Sequence, residues 1–251
     1  MAVLGIDIGG SGIKGTLVDV ETGIFLEDRY RIPTPSPSKP ELVLEVIKQI
    51  VDHFNWTGEI GVGFPGVVRR GTIETAANVS NDWIGQNLAK LIEEATGNKT
   101  IVLNDADAAG LAEMRFGTGK KYEDENVLFL TIGTGIGSAL FSQGELWPNS
   151  ELGHLKIKGK EAEKRASDAV RDKKNLSWKK WGKRLRKVLK VYDNLLNPDV
   201  IILGGGVSKK FDNYGKYLKK KVKTKVIPAE LENQAGIVGA AMAAAESIII
   251  E

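Results

Sequence analysis

Four groups of residues in this chain have types and spacings that could do chemistry. The first is a pair of glycine strings: Gly9-Gly10-Ser11-Gly12 with Lys14 close behind, and Gly133-Thr134-Gly135. A glycine turn exposes backbone N–H groups and has no Cβ to hold a phosphate away. Either string alone reads equally well as a tight hairpin; the two together point to a phosphoryl group gripped from both sides, with Lys14 neutralising its oxygens. The second group is Asn104-Asp105, between an apolar strand and a helix. Asn and Asp are favoured helix caps, so Asn104 or Asp107 can cap while Asp105 faces a cleft. The third is Glu151 and His154 in Glu-Leu-Gly-His after Pro148. A lone His is more often a structural hydrogen-bonder, but this pair beside an Asn-Ser turn suits vicinal hydroxyls. The fourth is Asp7, either a turn-former at a strand end or, beside phosphate, a carboxylate orienting Mg²⁺ through water.

The elements that must position these groups follow from periodicity. Residues 2–8 and 15–20 read as strands around GGSGIK, and a further strand follows Thr22-Gly23. The segment 32–40, IPTPSPSKP, is too rich in proline for a helix interior. Residues 41–54 are an amphipathic helix, with Leu42, Val43, Val46, Ile47, Ile50 and Phe54 on one face. Strands are expected at 60–62, 100–103, 127–131, 138–141 and 199–203, and helices at 87–96, 106–116 and 236–247. The alternation makes the class α/β. The strand–glycine turn–strand pattern around residues 8–17 recurs around residues 132–140, which reads as an internal duplication. Gly10-x-Gly12-x-x-Gly15 matches the dinucleotide fingerprint in form only. That motif must open a helix, whereas Thr16 to Val20 continues as a strand.

The strings GIDIGGSGIKG, LNDADAAGLAE, LTIGTGIG, ELGH and LGGGVS resemble the ROK family of sugar kinases and regulators. TAANVSNDWIG, PNSELGH and GKEAEKRAS resemble its polyphosphate glucokinase branch, and the resemblance runs over nearly the whole chain. It implies a duplicated actin/hexokinase-like (ASKHA) fold with two lobes around a cleft. The lobes would be residues 1–115, completed by a C-terminal helix at 235–251, and residues 116–234. It further implies phosphoryl transfer from inorganic polyphosphate, and from ATP, to the 6-hydroxyl of glucose. Asp105 would be the general base, and Gly66, Asn104, Glu151 and His154 would contact the sugar. Typical members next carry a cysteine-rich zinc motif ending in a Leu-Glu that also touches sugar. This chain has no Cys, so no zinc is expected. Counting back from Ser167 passes the sugar contact to Glu163, with Glu161 the alternative. Asn78 and Trp83 line the sugar pocket or, for Trp83, pack in the core. Thr134 and Gly135 would hold the transferring phosphoryl, Gly204-Gly205-Gly206 would support a nucleotide, and Mg²⁺ or Mn²⁺ would assist through Asp7. A homodimer is the assembly implied.

Charge adds a partner. The totals, 35 Lys+Arg against 32 Asp+Glu, conceal a strong asymmetry. Lys156 to Lys225 holds 23 basic and 7 acidic residues, and the remainder 12 basic and 25 acidic. Trp178, Trp181, Leu185, Val188, Tyr192 and Leu195 form an apolar stripe. Lys179, Lys180, Lys183, Arg186, Lys187 and Lys190 occupy the other side, and a second basic group comprises Lys209, Lys210 and the lysines of 216–225. Such a face suits a long flexible polyphosphate, read by charge density. Nucleic acid fits the electrostatics, but no nucleic-acid-binding module is visible. The nearest alternative is an ATP-only hexokinase of the same family, acting on glucose or mannose, whose basic face is incidental. A sugar-responsive regulator is the alternative from another class, and the first strand, starting by residue 3, leaves no room for an N-terminal DNA-binding module. The N-terminus lacks a signal-peptide pattern and no apolar run has the length of a membrane span, so a cytoplasmic protein with no membrane partner is expected.

Overall fold

The computed structural model describes residues 1–219 and 222–248. The chain forms two units: Met1–Ala112 together with the segment from Gln234, and Glu113–Asn233. The closing residues 249–251 of the expected C-terminal helix lie outside the described residues.

The first unit begins with β1 (Ala2–Gly9), β2 (Gly12–Asp19), β3 (Ile24–Phe25) and β4 (Tyr30–Ile32). Helix α1 (Pro40–His53) follows the proline-rich link, with Pro40 in its first turn, where a missing N–H costs nothing. Then come β5 (Ile60–Phe64), a ribbon of β6 (Val68–Arg69) with β7 (Thr72–Ile73), α2 (Leu88–Thr96), β8 (Thr100–Asn104) and α3 (Asp105–Phe116). The main sheet has the order β3-β2-β1-β5-β8, with β4 also paired to β2. β1 and β2 are antiparallel, whereas β5 and β8 run parallel to β1. Every residue of β5 and β8 is buried, as expected of parallel strands covered by helices, although β8 stands at the end of the sheet. Ile6, Ile8 and Ile13 of the sheet pack with Val43, Ile47 and Ile50 of α1 in one apolar core.

The second unit contains β9 (Asn126–Ile132), β10 (Ile136–Ser142), β11 (Glu145–Trp147), β12 (Lys156–Ile157) and β13 (Lys160–Glu161). They are followed by α4 (Glu163–Ala166), α5 (Asp168–Lys173), α6 (Trp178–Leu196), β14 (Val200–Gly204), α7 (Phe211–Tyr214) and β15 (Lys225–Pro228). Its sheet has the order β11-β10-β9-β14-β15. β9 and β10 are antiparallel, and β14 and β15 extend the sheet in parallel from β9. This repeats the first sheet's path strand for strand, so the duplication read in the glycine strings is a duplication of topology.

Two expectations are corrected. The first glycine loop is shorter than GGSGIK: β1 runs to Gly9 and β2 starts at Gly12, in a register that pairs the two. Only Gly10 and Ser11 form the turn, so Gly9, Gly12 and Lys14 are strand residues. The stripe of α6 also drifts. Trp181, Leu185, Val188 and Tyr192 are buried as expected, but Leu189 joins them while Leu195 is 65% exposed. A straight helix turns by 3.6 residues, and its last turn has rotated off the core. Trp83 belongs to the core: it is fully buried, meets Phe64 edge-on and donates its indole N–H to the Ser38 carbonyl at 3.0 Å.

The final helix, α8 (Ala235–Ala245), returns to the first unit and packs on β1, β5 and β8. It is apolar on all sides and nearly all of it is buried. Small residues let it lie very close. A Cβ on Gly61 would run into the Ala240 carbonyl, and one on Gly239 into the Ala108 carbonyl. No helix among the described residues is long and apolar enough to cross a membrane. Gly61→Ala should force α8 away from the sheet and cost about 3 kcal/mol; an unchanged midpoint in urea unfolding would contradict this packing.

Candidate active site

The antiparallel register places Asp7 directly opposite Lys14, and Lys14 Nζ lies 3.3 Å from Asp7 Oδ2. Both side chains are about a quarter exposed. The Gly10-Ser11 turn beside them is fixed from without: Thr34 Oγ1 donates to the Gly9 carbonyl at 2.5 Å, and Gly10 faces Asn78. Asn78 adopts a positive φ of 63° there. Asp7 also faces α8, since a Cβ on Gly236 would sit 3.7 Å from Asp7 Oδ1.

Asn104 ends β8 and Asp105 starts α3. Asn104 is 4% exposed and caps the helix: its Oδ1 accepts from the Ala106 N–H at 2.8 Å and the Asp107 N–H at 3.1 Å. Its Nδ2 donates to the carbonyl of Gly66, itself buried, at 3.0 Å. Asp105, half-buried, is presented at the helix start that Asn104 organises.

In the second unit, Gly133, Thr134 and Gly135 turn from β9 into β10 and leave Gly133 and Thr134 exposed. Glu163, the first residue of α4, holds its carboxylate against this turn, and a Cβ on Gly135 would approach Glu163 Oε2 to 2.6 Å. Glu151 precedes a short turn over Leu152–His154. Hydroxyl groups hold its main chain from both sides. Ser138 Oγ donates to the Ser150 carbonyl at 2.6 Å, Ser150 Oγ donates back to the Ser138 carbonyl at 2.8 Å, and the Leu152 N–H donates to Ser138 Oγ at 3.0 Å. Tyr192 of α6 donates to the Leu152 carbonyl at 2.6 Å. No local spacing marks these supports, except that Ser138 shares a face of its strand with the apolar Ile136 and Leu140.

His154 is half-exposed, with Nε2 3.5 Å from Glu151 Oε2 and Nδ1 4.0 Å from Glu161 Oε2. His154, Glu161 and Glu163 bring one ligand atom each within 4.8 Å of one another. Lys164 pairs with Glu161 at 2.5 Å and holds its carboxyl below the ordinary carboxylate range.

Gly204 ends β14, and Gly205 adopts a φ of +75° with no room for a Cβ against the Ile132 backbone. Gly206 is exposed. On α6, Lys179, Lys180, Lys183, Lys187 and Lys190 are exposed, while Arg186 is half-buried and donates to the Tyr217 carbonyl at 3.3 Å. In the second basic group Lys209 pairs with Glu232, Lys225 donates to the Tyr122 hydroxyl at 2.8 Å, and Lys220 and Lys221 lie outside the described residues.

The model of the ROK family matches residues 3–166. The chain belongs to the ROK family. A polyphosphate glucokinase of Mycobacterium tuberculosis is 49% identical over 240 residues, covering 95% of this chain and 89% of that protein. The crystal structure of an inorganic polyphosphate/ATP-glucomannokinase from an Arthrobacter species superposes with a TM-score of 0.92 at 42% identity, over 98% of this chain and 99% of the other. A ROK family glucokinase of Streptomyces griseus, solved with glucose and AMPPNP, shares the fold at a TM-score of 0.85 and 24% identity, over 98% of this chain and 100% of the other.

In this ROK chain the Glu151 carboxyl is held above the ordinary carboxylate range. Burial is the main cause; His154 pulls the other way and Glu163 adds to the rise. The unfolded chain therefore loses this proton before the folded one does, and stability falls as the pH climbs from the ordinary carboxylate range to the raised one. Glu151→Gln removes that loss. Thermal unfolding should show the variant more stable than the native protein at pH 7, with the difference closing below about pH 4; a gain that persists undiminished at low pH would refute this origin.

Proposed function

We propose that this ROK chain transfers the terminal phosphoryl group of inorganic polyphosphate, and of ATP, to the 6-hydroxyl of glucose. The carrying observation is the doubled glycine turn: each of two sheets with one topology sets a turn between its first antiparallel pair, Gly10-Ser11 in one and Gly133–Gly135 in the other. The relatives' names, a polyphosphate glucokinase and a polyphosphate/ATP-glucomannokinase, point to donor and acceptor.

Glu151 and His154 hold ring hydroxyls, as acceptor and as donor. Glu163 serves as the third sugar contact in preference to Glu161, whose carboxylate is engaged by Lys164. The Asp105 carboxylate takes the proton of the 6-hydroxyl, the freed oxygen bonds to phosphorus in line, and the bond to the departing phosphate chain breaks. Asn104 seats Asp105 and Gly66 through main-chain hydrogen bonds and, placed beside them, is a sugar contact as the family resemblance implies. Lys14 and the turn N–H groups stabilise the charge on the phosphoryl oxygens. Asp7 fits Mg²⁺: it is a single hard carboxylate beside the first turn, suited to an ion that keeps most of its waters. Mg²⁺, when bound, supplies further charge neutralisation to the donor oxygens. Gly204 to Gly206 support the nucleotide when ATP is used. The lysines of α6 form a track for the polyphosphate chain. The lobes of this reading are the two units, and a cytoplasmic homodimer is the assembly it carries over from the family resemblance.

Asp105→Asn should lower glucose phosphorylation at least about a thousandfold while calorimetry still detects glucose binding; turnover near the native rate would end the assignment. Arg186 is partly structural, so the track is best tested at Lys179, Lys183 and Lys187. Reversing these three to Glu should raise the KM for long-chain polyphosphate far more than that for ATP, at matched Mg²⁺. Equal effects on the two donors would remove the track.

A further inference from the structure

Arg31 lies outside every motif in the sequence, yet the strand register carries it to the first glycine turn. β2 pairs Lys14 with Asp7 of β1 on one side and with Arg31 of β4 on the other. Ile13, Ile32, Ile6 and Ile8 point into the core. Side chains alternate along a strand, so Asp7, Lys14 and Arg31 form a row on the opposite face of the sheet. The Arg31 guanidinium leans over the turn, with Nη2 donating to the Ser11 carbonyl at 2.8 Å. It occupies the space above Gly12: a Cβ there would meet Arg31 Nε and Nη2 at 2.6 Å and Cζ at 2.7 Å. The bareness of Gly12, which in the sequence reads as room for a phosphate, is room for this arginine.

The row holds two cations and one carboxylate. Like charges placed directly across two strands repel, and Asp7 already pairs with Lys14. The side chain of Arg31 is exposed and its fork carries five N–H donors. A guanidinium with donors to spare, fixed beside a turn that exposes N–H groups, matches tetrahedral oxyanions in geometry and charge.

We propose that Arg31 is a phosphate-binding residue of the first turn, gripping donor oxygens together with Lys14 and the Gly10-Ser11 backbone. The inference rests on the phosphotransferase reading and adds a side chain to its donor site. Because the turn meets the phosphates next to the transferred group, Arg31 serves polyphosphate and ATP alike, unlike the lysines of α6.

Arg31→Ala and Arg31→Lys would be compared with the native chain in three measurements: calorimetric binding of tripolyphosphate, KM for each donor and for glucose, and thermal midpoint. Arg31→Ala should weaken tripolyphosphate binding and raise both donor KM values about tenfold or more, with glucose KM within about twofold of native. Arg31→Lys should recover part of the loss, since it keeps the charge and lacks the fork. Unchanged tripolyphosphate binding in Arg31→Ala overturns the proposal. A lowered midpoint with unaltered donor KM values overturns it too, as it would mark Arg31 as a hairpin staple only. A native chain that fails to phosphorylate glucose from either donor defeats the functional reading instead, and the tripolyphosphate titration still decides the role of Arg31.

Discussion

The arrangement of strand end, helix start and loop in the first unit hangs on the side chain of Asn104. Its oxygen takes two N–H groups at the start of α3 and its nitrogen holds the Gly66 carbonyl after β5, so one buried amide ties strand end, helix start and loop together. The strand register makes this possible, because β5 and β8 pair Phe64 with Asn104. Both polar ends are satisfied, which a group only 4% exposed requires. The direction of Asp105 is then no longer a free variable. Helix capping and the catalytic placement proposed for Asp105 are compatible interpretations of an Asn-Asp pair, because the cap fixes the main chain from which Asp105 starts α3.

The second unit solves the same problem with hydroxyls. Ser138, Ser150 and Tyr192 fasten the main chain around Glu151, so the carboxylate's own oxygens need not hold it in place. Burial of Glu151 beside Glu163 works against folding, and the phenol of Tyr192, raised by burial and by Glu163, stays a proton donor to Leu152. Acidic groups crowded at such cost suit the sugar-binding role proposed for them rather than a role in stability.

Periodicity revealed most of the architecture because the strands here are short apolar runs punctuated by glycine, and both glycine strings proved to lie at equivalent places. Most of what it missed has one physical origin. Arg31 reaches the first turn only through the pairing of β4 with β2, and Tyr192 reaches Leu152 across 40 residues of chain; such partners are set by tertiary register and leave no local spacing. The same cause explains Gly12, whose missing side chain serves a residue far along the sequence. The drift from Leu195 to Leu189 is different: it reflects where α6 leaves its core, which helical period alone does not specify. Glu163 and Glu161 are both within reach of His154; the ion pair with Lys164 and the approach of Glu163 to the Gly135 turn separate them.

The placement of α8 also orders events in time. The second unit is continuous from Glu113 to Asn233, so a ribosome delivers it whole. The first unit is not: the sheet face at Gly5 and Gly61 waits for residues 235–245, which are joined to the chain only after the entire second unit has been made. Most of the first unit precedes the second along the chain, yet the second is the one that can close its core first. Until α8 arrives, the strands that carry Asp7 and lead to Asp105 stand with one apolar side open to water, and any nascent chain released early would expose that surface to its neighbours.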